Sequence, residues 1–340
     1  MLTGFLGSGK TTLLNQLLKH PSLGDAAVLI NEFGEVGIDH QLVETVDEST
    51  VLLSSGCLCC TIRDDLKQAI MEVHDKRSRG IVPPYRRMIV ETTGLADPAP
   101  ILATLMNDVS LRYHYRLGTI ITTVDAVNGL DQLDRQEESL KQAAVADRIV
   151  LTKTDIAEAD AVETLRQRLD QINPSAEFLI GQHGAVDVER VLRADVYDPA
   201  AKGGEVLRWI EAEAEAPHAH GQVHDVNRHD ANIHSFCLVH DESVDWTAFG
   251  IWLTMLLHTH GENILRVKGL LNVEGVDTPV VINGVQHIIH PPMHLDAWPD
   301  ESRKSRVVFI VHGLERALIE ESLAVFNRLG GGQPLGSRAA

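Results

Sequence analysis

The octapeptide GFLGSGKT at residues 4–11 constrains this chain more than any other feature. It satisfies G-x-x-x-x-G-K-[ST], with Gly4, Gly9, Lys10 and Thr11 at the fixed positions and Gly7, Ser8 and Thr12 completing the loop. Each residue type has a physical task. Glycines let successive backbone N–H groups curl around a phosphate, the lysine reaches the β and γ phosphates, and the hydroxyl of Thr11 can ligate Mg²⁺. The apolar spacing of KTTLLNQLLKH directly afterwards predicts a helix whose positive end faces those phosphates. Such a loop needs a buried strand before it, and here Met1, Leu2 and Thr3 precede Gly4. Either the expected strand is stunted or the true start lies upstream, and a sheet without that strand would lose its central member.

The segments that follow alternate. AAVLIN (26–31), TVLLSS (50–55), RMIVETTG (87–94), GTIITTVDA (118–126) and DRIVLTKTD (147–155) are short Val- and Ile-rich runs that read as buried strands. RDDLKQAIMEVHDKR, PAPILATLM and ESLKQAAVA carry apolar residues at helical spacing between them, AVETLRQRLDQINP adds a helix stopped at Asn173-Pro174, and AEFLIG reads as a last strand. Strands alternating with helices predict a mostly parallel sheet covered on both faces, an α/β P-loop NTPase domain over residues 1–216. The stretch at 217–232, with His218, His220, His224 and His229, is nearly free of apolar residues and reads as a linker. Beyond it, a strand near 234–240, a helix from Trp246, long strand patterns NILRVKGLLNV and PVVINGVQHIIH, a strand RVVFIVHG and a helix LERALIEESLAVFNRL predict a smaller α+β domain over 233–328. The tail at 329–340 is expected to be disordered.

Two further motifs sharpen the nucleotide reading. MIVETTG sets Glu91 and Gly94 at a strand end, where an acid can hold the Mg²⁺ shell and a glycine can sense the γ-phosphate. LTKTD sets Thr152, Lys153 and Asp155 after another strand, in the shape of the [NT]-K-x-D guanine motif. Asp155 can accept from the N1–H and 2-amino groups that guanine offers and adenine lacks, and the Lys153 stem can lie over the base. Motifs in this order at strand ends, where ligands of open α/β sheets bind, favour GTP over ATP.

The cysteines pose a separate question. Of four in the chain, Cys57, Cys59 and Cys60 fall within GCLCC, which is a poor disulfide framework and fits a reducing compartment. Clustered thiolates favour Zn²⁺ or Cu(I), with redox chemistry or packing as the alternatives. A structural zinc site has four ligands from separated pairs, so a single tight cluster implies an open site. NEFGEVGID supplies Glu32, Glu35 and Asp39. These acids either complete the metal site, with Glu35 as the candidate ligand, or serve Mg²⁺ or solvent. The linker histidines either gather metal or form a polar tether. Cys237, His258, His260, His287, His290 and His294 read as structural.

A net charge of −18 excludes a general nucleic-acid binder, which would show a basic footprint. No apolar stretch reaches membrane-span length and the start lacks a signal-peptide pattern, so the cytoplasm is the expected address. Homo-oligomerisation is left open.

Taken together, LTGFLGSGKTTLLN, NEFGEVGID, GCLCC, ETTGLADPAPI, VDAV (124–127) and LTKTD resemble the CobW-like P-loop GTPases, relatives of the urease and hydrogenase accessory GTPases. The resemblance covers nearly the whole chain, including a CobW-type C-terminal domain. It implies a GTP-dependent metallochaperone that delivers Zn²⁺, or another divalent ion such as Co²⁺, to a client metalloprotein. Gly4 to Thr12 would hold the phosphates and Mg²⁺, with Lys10, Thr11 and Glu91 in the catalytic roles. Thr152, Lys153 and Asp155 would read guanine, and Cys57, Cys59 and Cys60 would hold the metal. Ile30 stands before NEFGE where some relatives carry an acid. With no arginine finger to name, slow intrinsic hydrolysis is expected. The rival readings are a P-loop small-molecule kinase, which would need a basic lid, and a metal-storage or sensing protein with a vestigial P-loop.

Overall fold

In a computed structural model, residues 1–31, 51–54, 62–181, 185–192 and 233–329 are described. The chain divides into two compact units, Met1–Asp195 and Val196–Ala340. The expected linker at 217–232 and the tail at 330–340 lie outside the described residues.

The first unit is a seven-stranded sheet, parallel at every pairing among the described residues. Its strands are β1 (Leu2–Gly4), β2 (Ala26–Asn31), β3 (Val51–Ser54), β4 (Arg87–Thr92), β5 (Ile121–Asp125), β6 (Arg148–Thr152) and β7 (Glu177–Ile180), in the order β3-β2-β4-β1-β5-β6-β7. The stunted strand is thus present and central. Leu2 pairs with Glu91 on one side, and Leu2, Thr3 and Gly4 pair with Ile121, Thr122 and Thr123 on the other. Hydroxyls reinforce so short a strand: Thr92 Oγ1 donates to Thr3 Oγ1 (2.9 Å) and Thr123 Oγ1 to the Thr3 carbonyl (3.4 Å).

Helices α1 (Lys10–Leu18), α2 (Ile62–Ser78), α3 (Pro98–Asn107), α4 (Val109–His114), α5 (Gly129–Arg135), α6 (Glu137–Val145), α7 (Ala159–Ile172) and α8 (Val188–Leu192) connect the strands. The pleat assigns the faces. Val28 and Ile30 of β2 pack with Leu13 and Leu17 of α1 and Val191 of α8. Leu29, between them, points the other way, to Leu66 and Ile70 of α2, Ile101 of α3 and Leu111 of α4. Buried Asn173 ends α7 and donates to the carbonyls of Ala143 (2.9 Å), Ala144 (3.1 Å) and Ala146 (2.9 Å), closing the end of α6 as well. Helices α4, α5 and α8 are additions to the sequence expectation; each is seven residues or fewer, too short to show a full periodic pattern.

The second unit holds β8 (Ile233–His240), α9 (Trp246–His260), β9 (Ile264–Leu271), β10 (Val280–Val285), β11 (Ile288–Ile289), β12 (Met293–His294), β13 (Ser305–His312) and α10 (Arg316–Leu329). Its antiparallel sheet runs β11-β10-β9-β13-β8, with β12 also on β10. Alternation along β13 builds two cores. Val307, Phe309 and Val311 face Trp252 and Leu256 of α9 and Ile319 of α10, while Val308 faces Leu295 and Trp298. Cys237 packs against this second cluster, as expected of a structural residue. The single strand expected over PVVINGVQHIIH is instead a hairpin. Val285 pairs with Ile288 across a two-residue turn, and Gln286 takes a left-handed φ of 50°. Turns of this kind favour glycine or asparagine, and Gln-His carries no such signal.

Candidate functional site

Parallel strands end together, so the loops after β1, β4 and β6 meet at one edge of the sheet. After β1 the backbone turns through Gly4, Gly7 and Gly9 with φ of 144°, 72° and 88°, and α1 begins with Gly9 as its N-cap and no side-chain cap. The start of α1 is thus left uncapped by its N-cap side chain, and its first-turn N–H groups and dipole suit an anion. Ser8 is buried and bonds through Oγ to Thr123 Oγ1 (2.7 Å), which fastens the loop to β5. Lys10 Nζ rests on the Gly4 and Phe5 carbonyls at 3.0 and 3.1 Å.

Glu91 emerges from β4 only 4% exposed and accepts a 2.8 Å hydrogen bond through Oε1 from Thr11 Oγ1. Thr11 and Glu91 both line a cavity of about 310 Å³ that Gly7, Lys10, Thr12 and Gly94 also line. A hydroxyl and a carboxylate oxygen side by side at a phosphate loop form a hard-oxygen donor pair of the kind Mg²⁺ takes. The loop after Glu91 is clamped between two elements. At Gly94 a side chain would meet the Leu6 backbone nitrogen at 2.7 Å. From α6, buried Gln142 donates through Nε2 to the carbonyls of Gly94 (3.2 Å) and Ala96 (3.0 Å). Lys141 adds an ion pair to Asp97 at 3.2 Å, and Asp97 caps α3 through the Ala99 N–H. Replacing Gln142 with leucine strands two carbonyls, at a cost of about 1–3 kcal/mol. Urea unfolding of Gln142→Leu is expected to show that loss, and an unchanged midpoint would remove Gln142 as the clamp.

The base motif lies beside the loop. Gly9, Thr12, Thr152, Lys153, Asp155, Ile156 and Gly181 are among the residues lining a second cavity of about 200 Å³. The Thr152 hydroxyl donates to the Ser8 carbonyl (2.7 Å) and, more weakly, to that of Val124 (3.2 Å), so it ties β6 to the phosphate loop. Lys153 takes a left-handed φ of 57° and sends Nζ to Asp125 Oδ2 at 2.7 Å. Burial alone would raise the Asp125 carboxyl's pKa; the Lys153, Asn128 and Val127 donors outweigh it and hold the value below the ordinary 3.8. Sequence reasoning missed Asp125 and Gln142 as members of this site, although VDAV does put an acid at a strand end.

The structure thus brings Gly4, Gly7, Ser8, Gly9, Lys10, Thr11, Thr12, Glu91, Thr152, Lys153 and Asp155 to one edge. Cys57, Cys59, Cys60 and Glu35 lie outside the described residues. Among the described residues, no group of three or more His, Cys, Asp or Glu side chains could hold a metal. Ile30 packs in the core beside α1 and borders the phosphate cavity. No helix among the described residues is long and apolar enough to cross a membrane.

Residues 1–180 match the model of the CobW/HypB/UreG nucleotide-binding domain, and residues 233–327 match that of the cobalamin synthesis protein cobW C-terminal domain. The chain belongs to the CobW/HypB/UreG family. In this CobW-type chain, the first match takes in all seven parallel strands and the second nearly all of the antiparallel unit. It is 32% identical over 310 residues to the zinc chaperone YjiA of Escherichia coli, covering 91% of this chain and 92% of that protein. It is 34% identical over 206 residues to the zinc-regulated GTPase metalloprotein activator 1 of Schizosaccharomyces pombe, covering 58% of this chain and 49% of that one. The crystal structure of Zn(II)-bound YjiA GTPase from E. coli superposes with a TM-score of 0.71 at 28% identity, over 96% of this chain and 97% of that one.

Proposed function

We propose that this CobW-type chain is a GTP-hydrolysing metallochaperone that binds a divalent metal, zinc first, through Cys57, Cys59 and Cys60 and passes it to a client metalloprotein. The observation that carries the reading is one of register. Ser54 at the end of β3 is level with Ile30, and Ile30 is level with Glu91. Strands β2 and β3 therefore both end at the edge where the phosphate cavity opens, which supports a metal site on the sequence that follows them. The relatives named as zinc chaperones and as a zinc-regulated GTPase support the metal and the nucleotide. Cysteine thiolates suit zinc, and too few of them for a closed tetrahedral site suits transfer over storage.

In this reading the α1 N-terminus and the Gly7–Gly9 backbone bind the β and γ phosphates, and Lys10 turns from the Gly4 and Phe5 carbonyls to the phosphate oxygens. Thr11 and Glu91 would hold Mg²⁺, which neutralises charge on the transferring phosphoryl group when bound. Gly94 stands where a γ-phosphate would be felt, and Gln142 passes that contact on to α6. Asp155 selects guanine. The acidic net charge and the thiol cluster fit a protein of a reducing compartment with no nucleic-acid partner.

Coupling between the two ligands is reciprocal: if GTP tightens zinc binding, zinc tightens GTP binding by the same factor, typically about 5- to 150-fold. Zinc affinity measured with a non-hydrolysable GTP analogue and with GDP is expected to differ within that range. Metal analysis after purification with GTP and Mg²⁺ is expected to lose zinc on Cys59→Ala. Equal affinities in the two nucleotide states would sink the coupling, and full zinc retention in the variant would sink the thiolate site.

A further inference from the structure

We propose that Asp125 is a positioning residue for base recognition, holding the Lys153 ammonium so that the lysine stem forms a fixed wall of the base cavity. The inference rests on reading Thr152–Asp155 as the guanine motif and adds a residue outside it. Asp125 ends β5, is 1% exposed, and pairs in register with Thr152 at the end of β6. Its carboxylate takes four donors. Oδ1 accepts from the Val127 and Asn128 N–H groups at 2.8 and 3.3 Å, and Oδ2 from Asn128 Nδ2 at 2.9 Å and Lys153 Nζ at 2.7 Å. Two backbone N–H groups and one side chain of the three-residue turn after β5 thus fix the carboxylate before the lysine meets it.

Lys153 is the mobile partner by nature: a long stem, more than a third exposed, on a backbone in the left-handed region that L residues avoid. It lines both the base cavity and the phosphate cavity. An unpinned ammonium there would be drawn to the phosphates or to Asp155, two residues away. Tied to Asp125, it presents methylenes to the flat face of a purine and keeps its charge on the far side. The expected contribution is therefore to the base and not to the phosphates, which separates positioning from a general structural role.

The test is binding of GDP, ATP and inorganic tripolyphosphate to the full chain and to Asp125→Asn, which keeps the side-chain shape and an acceptor for the turn. GDP affinity is expected to fall about tenfold, corresponding to ~1.4 kcal/mol, with tripolyphosphate affinity unchanged. In a Lys153→Met background, Asp125→Asn is expected to add no further loss. Equal losses for GDP and tripolyphosphate, or full additivity with Lys153→Met, would overturn the inference in favour of a structural role. Should Asp125→Asn not fold, Lys153→Met alone carries the test, since unchanged GDP affinity there also overturns it. A wild-type chain that binds GDP no better than ATP would instead refute the guanine motif, and the inference with it. Wild-type preference for GDP that Asp125→Asn leaves intact would refute the inference alone.

Discussion

Replacing Lys10 with methionine is expected to lower GTP turnover by about 10²–10³-fold, the cost of removing one preorganised charge from a transferring group. Methionine keeps most of the stem and loses the ammonium, which donates to the Gly4 and Phe5 carbonyls beside the open cavity. The fold is therefore expected to survive, with thermal unfolding close to wild type. Phosphate release at saturating GTP is the measurement. It also separates the rival readings. A kinase would lose transfer to an acceptor instead of release to water, and a storage protein would keep its zinc handling in cells despite the lost turnover. Unchanged phosphate release would mean that this loop is not where GTP is hydrolysed.

Substituting Gly4 with alanine is expected to be the most damaging single methyl group in the first unit. The new Cβ would sit 2.3 Å from Thr123 Oγ1, 2.4 Å from the Thr123 carbonyl and 2.7 Å from Ser8 Oγ, and the residue has a φ of 144°. None of these neighbours can withdraw cheaply. Thr123 belongs to β5, paired on both sides, and Ser8 is buried against it. Overpacking of this kind together with the unfavourable backbone is expected to cost about 3 kcal/mol or more. Gly7→Ala is the control: nothing lies within 4 Å of its added Cβ, and only the left-handed φ of 72° is at stake, about 1–2 kcal/mol. Urea midpoints of the two variants should differ clearly. Equal midpoints would show that close packing of β1 against β5 is not what requires glycine at position 4.

The nucleotide-site motifs were legible because each is a local arrangement. A strand end, a glycine turn and a helix start occupy adjacent residues, so GFLGSGKT, ETTG and TKTD could be read one segment at a time. Most regular elements were legible for the same reason; AAVLIN is β2 to the residue. What failed was short or lacked its expected punctuation. Helix α4 has six residues, yet Asp108 before it accepts from the Ser110 and Leu111 N–H groups (2.9 and 3.0 Å), a capping signal available in the sequence. The β10–β11 turn places glutamine where glycine would have announced it.

Sequence alone determined which short motifs this chain carries, GFLGSGKT, ETTG, TKTD and GCLCC, each defined by spacing within a few residues. It also determined that strands and helices alternate in one half and not in the other. Only the tertiary structure decided that three residues suffice for β1, because its stability comes from β4 and β5 on either side and not from its length. Only the structure joined Lys153 to Asp125 across 28 residues, and Gln142 to the loop after Glu91 across 46 and 48. The physical reason is common to all three. A parallel sheet makes neighbours of strands separated by whole crossovers, and periodicity within a segment holds no record of which segment will lie beside it.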